Sequence, residues 1–316
     1  MQQRDIFPRS LQYLLAIAEY GSYTRAAEAL HVSQPTLSQQ IKQLEESLQS
    51  PLLDRSGRTV QLTNAGEIYL QHARRAWGEL DGGARAILDV QNLSRGSLRL
   101  GWTPITDYLT YSLLENFNYL YPGINLNTFD MPQDDIEVSV AESKIDIGIV
   151  FSKPISSTAR PSELETSVLF EEKLCVAVGK KHPRAKQQER MSAQNLGQES
   201  LALLNTNFAL RRHVDDYCAE YDIEPRFAIE SNSLSTIIYL INHRPLATIL
   251  PLSISQKQGL HSIMLFPEIQ RKEITLIYRK DGYKSPATIA FSELASQWSE
   301  NRKHINFTKK NNKFTS

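Results

Sequence analysis

The sequence predicts a multidomain α+β chain: a helical head carrying a helix-turn-helix and a small β-hairpin, one long helix, then an α/β body. Three observations predict it. Apolar residues recur at helical spacing almost throughout residues 1–95. After Ser94-Arg95-Gly96 the pattern switches to short strands alternating with helices. The chain has 316 residues, 41% hydrophobic and 22% charged, which is long enough for two or three domains and apolar enough to bury a core.

The first helix shows Leu11, Leu14, Leu15 and Ala18 on one stripe and ends near Tyr20-Gly21, where glycine accepts a left-handed turn. A short second helix runs from Thr24 to about His31 with Ala26, Ala27 and Leu30 inward. Ser33 is a good N-cap, and Pro35 sits in a first turn that needs no backbone donor there. The third helix spans about Gln34 to Leu48, with a core stripe Leu37, Ile41, Leu44 and Leu48. Leu52–Arg55 and Thr59–Leu62 flank Ser56-Gly57-Arg58 as a hairpin. Thr63 caps a long fourth helix, Asn64 to about Asn92. In it Tyr69, Ala73, Ala76, Leu80, Gly83 and Ile87 recur at 4-3-4-3-4 spacing, the mark of a two-helix seam. Gly82-Gly83 reads as a bend or a close helix approach.

Beyond residue 96 the expected order is a strand Ser97–Trp102, a helix Thr106–Leu120, a strand Ile124–Phe129, a helix Asp134–Ser143 and a strand Asp146–Phe151. That order implies a parallel sheet. A second set follows: strands Lys173–Gly179, Leu201–Leu204, Phe227–Glu230, Thr248–Leu250 and Glu273–Tyr278, with helices Ala209–Tyr221, Leu234–Asn242 and Ala287–Asn301. Residues 303–316 are polar and read as a disordered basic tail.

Charge and cysteine content exclude the easy classes. Lys and Arg number 35, Asp and Glu 35, so the whole chain is not a basic nucleic-acid binder. Residues 1–95 hold 10 of each sign, residues 96–300 hold 20 basic and 25 acidic, and the last sixteen hold 5 and 0. Two cysteines, Cys175 and Cys218, make no disulfide scaffold or metal cage. No apolar run reaches the roughly 18 residues of a membrane span, and Leu14–Ala18 is too short for an export signal, so the cytoplasm is the expected location.

The third helix carries the chemistry of base reading. Opposite its apolar stripe lie Gln34, Pro35, Thr36, Ser38, Gln39 and Lys42. A Gln amide bonds an adenine edge bidentately, Ser and Thr bond base edges or phosphate, and a Thr methyl meets thymine. Lys42 suits phosphate or guanine, Ser33 sits at the helix start, and Arg55 and Arg58 near the hairpin suit the flanking backbone. The plain alternative is a solvated face of an ordinary bundle; turn, cap, proline and hairpin in order argue against it.

Residues 11–66 resemble the DNA-binding domain of LysR-type transcriptional regulators. The resemblance is carried by Leu15–Leu30, including Thr24-Arg25-Ala26-Ala27, by Val32–Glu45, by Leu52–Arg55 and by Leu62–Gly66. It implies a winged helix-turn-helix over 1–65, a linker helix for dimerisation over 66–94, and a two-lobed effector-binding domain, similar to periplasmic binding proteins, over 95–302. It also implies a homodimer or homotetramer on an interrupted inverted repeat of double-stranded DNA. RNA polymerase is the implied partner, with activation of a neighbouring operon and self-repression. The effector-cleft positions would be Thr103, Thr106, Gln133 (or Pro132), Asn205, Asn207, Phe208, Ser231, Ser233 and Thr248. The simpler reading of these Ser, Thr and Asn residues is that they cap helices. The stretch Asn242–Pro251 lacks the glycine common in the family, which puts the cleft floor in doubt. Arg74–Val90, Asn242–Pro251 and Glu230–Ser233 are similar to the branch containing the cyanate-operon activator, which implies a small anionic effector.

An exported solute-binding protein would need no Ser33–Lys42 helix. An enzyme finds little support: the seven histidines are scattered, and G-x-S-x-G, G-x-x-x-x-G-K-[ST] and G-x-G-x-x-G are missing from the sequence. Cys218, on an apolar helix face, reads as core. No catalytic residue, cofactor or metal is expected.

Overall fold

The computed structural model describes residues 9–57, 59–89, 96–152, 163–186 and 190–311. The chain divides into two compact units: Met1–Val90 with Ala141–Lys144, and Gln91–Val140 with Ile145–Ser316.

In the first unit α1 (Arg9–Tyr20), α2 (Tyr23–Ala29) and α3 (Gln34–Leu48) enclose Leu14, Ile17, Ala26, Leu37 and Ile41. Gly21, at φ 61°, ends α1. The Ser22 hydroxyl then accepts from Arg25 N, so α2 begins before Thr24. It stops at Ala29 rather than His31, because His31 adopts φ 53° and turns the chain toward α3. The hairpin pairs β1 (Leu53–Asp54) antiparallel with β2 (Gln61–Leu62). The Thr63 hydroxyl accepts from Gly66 N at 3.0 Å and starts α4 (Asn64–Asp89), which runs unbroken through Gly82-Gly83. A Cβ on Gly83 would meet nothing within 4 Å, so the structure shows no close approach there.

The α3 stripe is corrected. Leu37 and Ile41 are buried, Leu44 is half-buried, and Leu48 is 39% exposed. Glu45 takes the inner place instead. Gln49, at φ 52°, reverses the chain and sends Leu52 and Leu53 back past the end of α3 with backbone donors that need an acceptor.

Gly66 shows how packing overrides propensity. Alanine normally gains about 1 kcal/mol over glycine inside a helix. Here a Cβ would lie 2.0 Å from the Leu52 carbonyl oxygen, a backbone atom that yields only if the hairpin shifts. Gly66→Ala should therefore lose stability, on the order of 1–3 kcal/mol, read as a lower urea midpoint. A midpoint at or above wild type would show that the start of α4 relaxes freely.

The second unit begins β3 (Gly96–Trp102), α5 (Pro104–Leu120), β4 (Ile124–Asp130), α6 (Gln133–Ala141), β5 (Ile147–Phe151) and β6 (Leu164–Glu172). It continues β7 (Leu174–Val178), β8 (Met191–Ser192), α7 (Ala193–Leu196), β9 (Ser200–Leu204), α8 (Ala209–Glu220), β10 (Arg226–Ser231) and α9 (Leu234–His243). It closes with β11 (Ala247–Pro251), α10 (Leu252–Lys257), β12 (His261–Ile263), β13 (Leu265–Phe266), β14 (Lys272–Arg279) and α11 (Pro286–Asn311). Two five-stranded sheets form two lobes, in the orders β4-β3-β5-β14-β6 and β10-β9-β11-β7-β12. β3 pairs parallel with β4 and with β5, as their order implies, but each sheet as a whole is mixed. In the first, β14 runs antiparallel to β5 and β6 antiparallel to β14. The chain passes from lobe to lobe at β6 and returns at β14, and the two strands pair from Lys272↔Glu172 to Arg279↔Leu164. Of β6 only Leu169, Phe170 and Glu172 are buried, so no alternation announced it.

α11 continues to Asn311, past the expected stop at Asn301 and across the boundary set at 303. No glycine or proline follows Pro286 to break it. Residues 312–316 of the expected tail lie outside the described residues. Among the described residues no helix is long and apolar enough to cross a membrane.

Candidate functional site

α3 keeps its expected polar face outward. Ser33, Gln34, Pro35, Thr36, Gln39 and Lys42 are exposed, and Ser38 is half-buried. Ser33 Oγ accepts from Thr36 N at 3.2 Å and lies 2.6 Å from Thr36 Oγ1, so this pair is spent on the cap. Gln39 has no hydrogen bond among the described residues, which leaves its amide free. Lys42 pairs with Glu46 at 3.6 Å with both side chains well exposed, a contact that yields easily to a phosphate. Thr24 and Arg25 are exposed on α2.

Arg55 is placed differently from the expectation. Its Nε and Nη2 donate to the Tyr23 hydroxyl at 3.0 and 2.8 Å, and Nη2 donates to Glu45 Oε2 at 2.8 Å. The other Glu45 oxygen accepts from Leu52 N and Leu53 N at 2.8 and 3.1 Å. One carboxylate thus ties α3 to the hairpin, and Arg55 ties both to α2. Arg58 lies outside the described residues. The Glu45 role was invisible in sequence, where it reads as one more charge on a helix.

In the second unit a cavity of about 500 Å³ opens where parallel strands end. Ligand clefts in α/β sheets form at such C-terminal ends. The first lobe lines it with Pro104, Asp107 and Tyr108 beyond β3 and with Asp130, Met131 and Pro132 beyond β4. The second contributes Asn205, Asn207 and Phe208 beyond β9 and Asn232, Ser233, Leu234 and Ser235 beyond β10. Asn205, Asn207, Phe208 and Ser233 therefore line it as expected. Asp107, Tyr108, Asp130, Asn232 and Ser235 were missed. Asp107 sits in the first turn of α5, where an acid also complements the helix dipole; Asp130, ending a parallel strand beside β3, was the legible signal.

Five expected residues do not line the cavity. Thr103 and Thr106 are buried in a reciprocal capping box, and Thr106 Oγ1 also donates to Ile149 O at 2.8 Å. Gln133 is fully buried: its Nε2 donates to Phe151 O and Glu137, and its Oε1 accepts from Phe151 N. Ser231 Oγ accepts from Ser233 N at 3.1 Å. Thr248 faces an apolar void of about 10 Å³, room for one water at most. The capping explanation holds for Thr103 and Thr106, and Ser233 caps α9 while lining the cavity. No residue of the glycine-free stretch Asn242–Pro251 lines the cavity.

His213 on α8 meets Phe151 edge-on at 5.9 Å, and its buried Nε2 has no partner. Burial, then Lys272 and Arg212, push its pKa down from 6.5 to about 4. The unfolded chain binds this proton more tightly, so stability present above pH 6.5 is lost as pH falls toward 4. Asp130, raised to about 6 by partial burial and then by Asp107, works in the opposite sense over much of that window. In an Asp130→Asn background, His213→Gln should flatten the acid limb of the melting temperature between pH 6.5 and 4. An unchanged slope would assign that limb to other groups.

A capped recognition-type helix with a free amide face, and a body with a polar cleft between two sheets, define a DNA-reading protein with a small-molecule domain. Residues 8–67 match the bacterial regulatory helix-turn-helix protein, lysR family, and residues 91–300 match the LysR substrate binding domain. The chain belongs to the LysR family and is a DNA-binding transcriptional regulator. A probable RuBisCO transcriptional regulator of Trichormus variabilis is 30% identical over 90% of this chain and 86% of its own. One from Thalassiosira pseudonana is 33% identical over 73% and 78%. Full-length OxyR from Pseudomonas aeruginosa shares the fold at TM-score 0.65 and 24% identity, covering 90% of this chain and 92% of that one. CbnR does so at 0.62 and 24%, covering 92% and 98%. The relatives from Trichormus variabilis and Thalassiosira pseudonana carry RuBisCO-regulator names, not cyanate ones, and do not support the cyanate effector.

Proposed function

We propose that the chain is an effector-responsive operator-binding protein, and that the outward face of α3 reads duplex DNA. Gln34, Thr36, Ser38 and Gln39 would meet base edges, while Thr24, Arg25, Ser33, Pro35 and Lys42 would position the phosphate backbone. Arg55 holds the hairpin in this reading and touches DNA only through its exposed side. The observation that carries the reading is the exposed Gln39 side-chain amide, which has no hydrogen bond among the described residues.

Within the expected linker of residues 66–94, of which 90–94 lie outside the described residues, α4 serves for dimerisation: on the 4-3-4 seam Leu80 is 40% and Ile87 76% exposed, an apolar line that a second copy would cover. Dimers, pairing further as tetramers, would span an interrupted inverted repeat, and linked half-sites multiply affinity without new contacts. The cleft takes the effector, RNA polymerase is the downstream partner, and the neighbouring operon is activated while the protein's own gene is repressed. Operator binding places the protein in the cytoplasm. The names of the relatives favour carbon-fixation genes over a cyanate operon as the target.

The test is a footprint and gel shift of the full chain on genomic fragments. A protected site of twofold character is expected, with affinity falling steeply with salt as phosphate contacts release counterions. Equal binding to all fragments would overturn the reading.

A further inference from the structure

The cleft carries its charge opposite to the small anion that the resemblance implied. We propose that it is built for a small organic cation, a protonated amine or guanidinium with hydrogen-bonding groups behind it. The inference rests on the cleft being the effector site and names its ligand class.

The cavity, about 500 Å³, falls within the size of small-molecule sites. Among the described residues its ionisable lining is Asp107, Asp130 and Tyr108, with no lysine, arginine or histidine. Neither aspartate side chain has a hydrogen bond or an ion pair among the described residues. Arg212 bonds the carbonyl of the lining residue Asn207 at 3.2 Å, but its charge is already answered by Asp134 at 3.1 Å. Arg211 on the same helix is buried and bound to Asp215 and Glu230. Of the helix N-termini at the cleft, α5 carries Asp107 in its first turn and α6 carries Asp134 and Asp135, whereas α8 and α9 carry no acid there. In the first lobe the protein's own carboxylates occupy the place an anion would take.

The electrostatics agree. Both carboxyls are held above the usual range: Asp130 is pushed up to about 6, by partial burial first and the charge of Asp107 second, and Asp107 is raised by burial. A bound cation relieves both costs; a bound carboxylate adds a third like charge. Tyr108 and Phe208 offer aromatic faces, and Asn205, Asn207, Asn232 and Ser233 supply amides and hydroxyls for the remainder of the ligand. A metal ion fits less well, since among the described residues no group of three or more His, Cys, Asp or Glu could hold one.

The experiment uses three four-carbon probes of matched length, 1,4-diaminobutane, 1,4-butanediol and succinate, with magnesium chloride as a fourth. Each is followed by thermal shift on the full chain at pH 8 and pH 5. The diamine should raise the melting temperature most, the diol less and succinate least. The diamine shift should shrink at pH 5 as Asp130 takes its proton. Asp107→Asn and Asp130→Asn, near-isosteric and with no partner to lose, should keep the unliganded fold by circular dichroism and each weaken the diamine at least fivefold. Succinate stabilising most, magnesium matching the diamine, no diamine shift at all, or a shift indifferent to both substitutions would overturn the proposal. Operator footprints run in parallel separate the two readings. An aspartate-dependent diamine shift that leaves the footprint unchanged supports the cation site and removes its effector role.

Discussion

Glu45→Ala is expected to destabilise the DNA-reading unit by about 3–5 kcal/mol, the scale of breaking a buried ion pair by removing one partner. The carboxylate does three things at once. It accepts two backbone N–H groups from Leu52 and Leu53, both buried, and it balances Arg55. Alanine leaves those donors without acceptors at about 1–3 kcal/mol each. The Arg55 share is smaller, because its side chain is 48% exposed and water replaces the lost partner. Arg55→Met should therefore cost clearly less than Glu45→Ala. A folded domain holds only about 5–15 kcal/mol in total, so the first change removes a large fraction. Urea unfolding of both variants checks this; a Glu45→Ala value within about 0.5 kcal/mol of wild type would show that the hairpin docks without its carboxylate.

Gln39→Ala should weaken operator binding by about 1–3 kcal/mol per half-site, a factor of about 5 to 150, and relax preference at one base position. The side chain is exposed and has no internal hydrogen bond, so its loss leaves folding untouched. Thr36→Ala should act differently: its hydroxyl is already engaged with Ser33, so part of its effect enters through the cap. Lys42→Ala should weaken all sequences alike and reduce the salt slope by about 1. Gel-shift competition between the operator and single-base variants separates these outcomes. A uniform loss from Gln39→Ala across all variants would place that residue on the backbone.

What the sequence revealed, and what it concealed, follows from how local each signal is. α3, its Ser33 cap and its Pro35 were legible because capping and periodicity act within one or two turns. The strand–helix sets of the body were legible for the same reason. β6 was not, because its pairing with β14 joins residues about a hundred positions apart. The inward place of Glu45 was not legible because the donors it satisfies arrive only after the chain reverses at Gln49. The cleft was half legible. Asn205, Asn207, Phe208 and Ser233 stand at strand ends, but Thr103, Thr106 and Gln133 use their polar groups on their own backbone neighbourhood. The aspartates were missed because their significance lies in lining one cavity from separate elements, which no spacing encodes.

The most direct measurement is a photo-crosslink from α3 to the operator. Cys175 and Cys218 are both buried, so Gln39→Cys offers a single accessible thiol for an azidophenacyl label among the described residues. The account predicts crosslinks to bases in the major groove of each half-site, lost on unrelated duplex. A label at position 39 that never reaches DNA, while one at an exposed position of α4 such as Ile68 does, would contradict it.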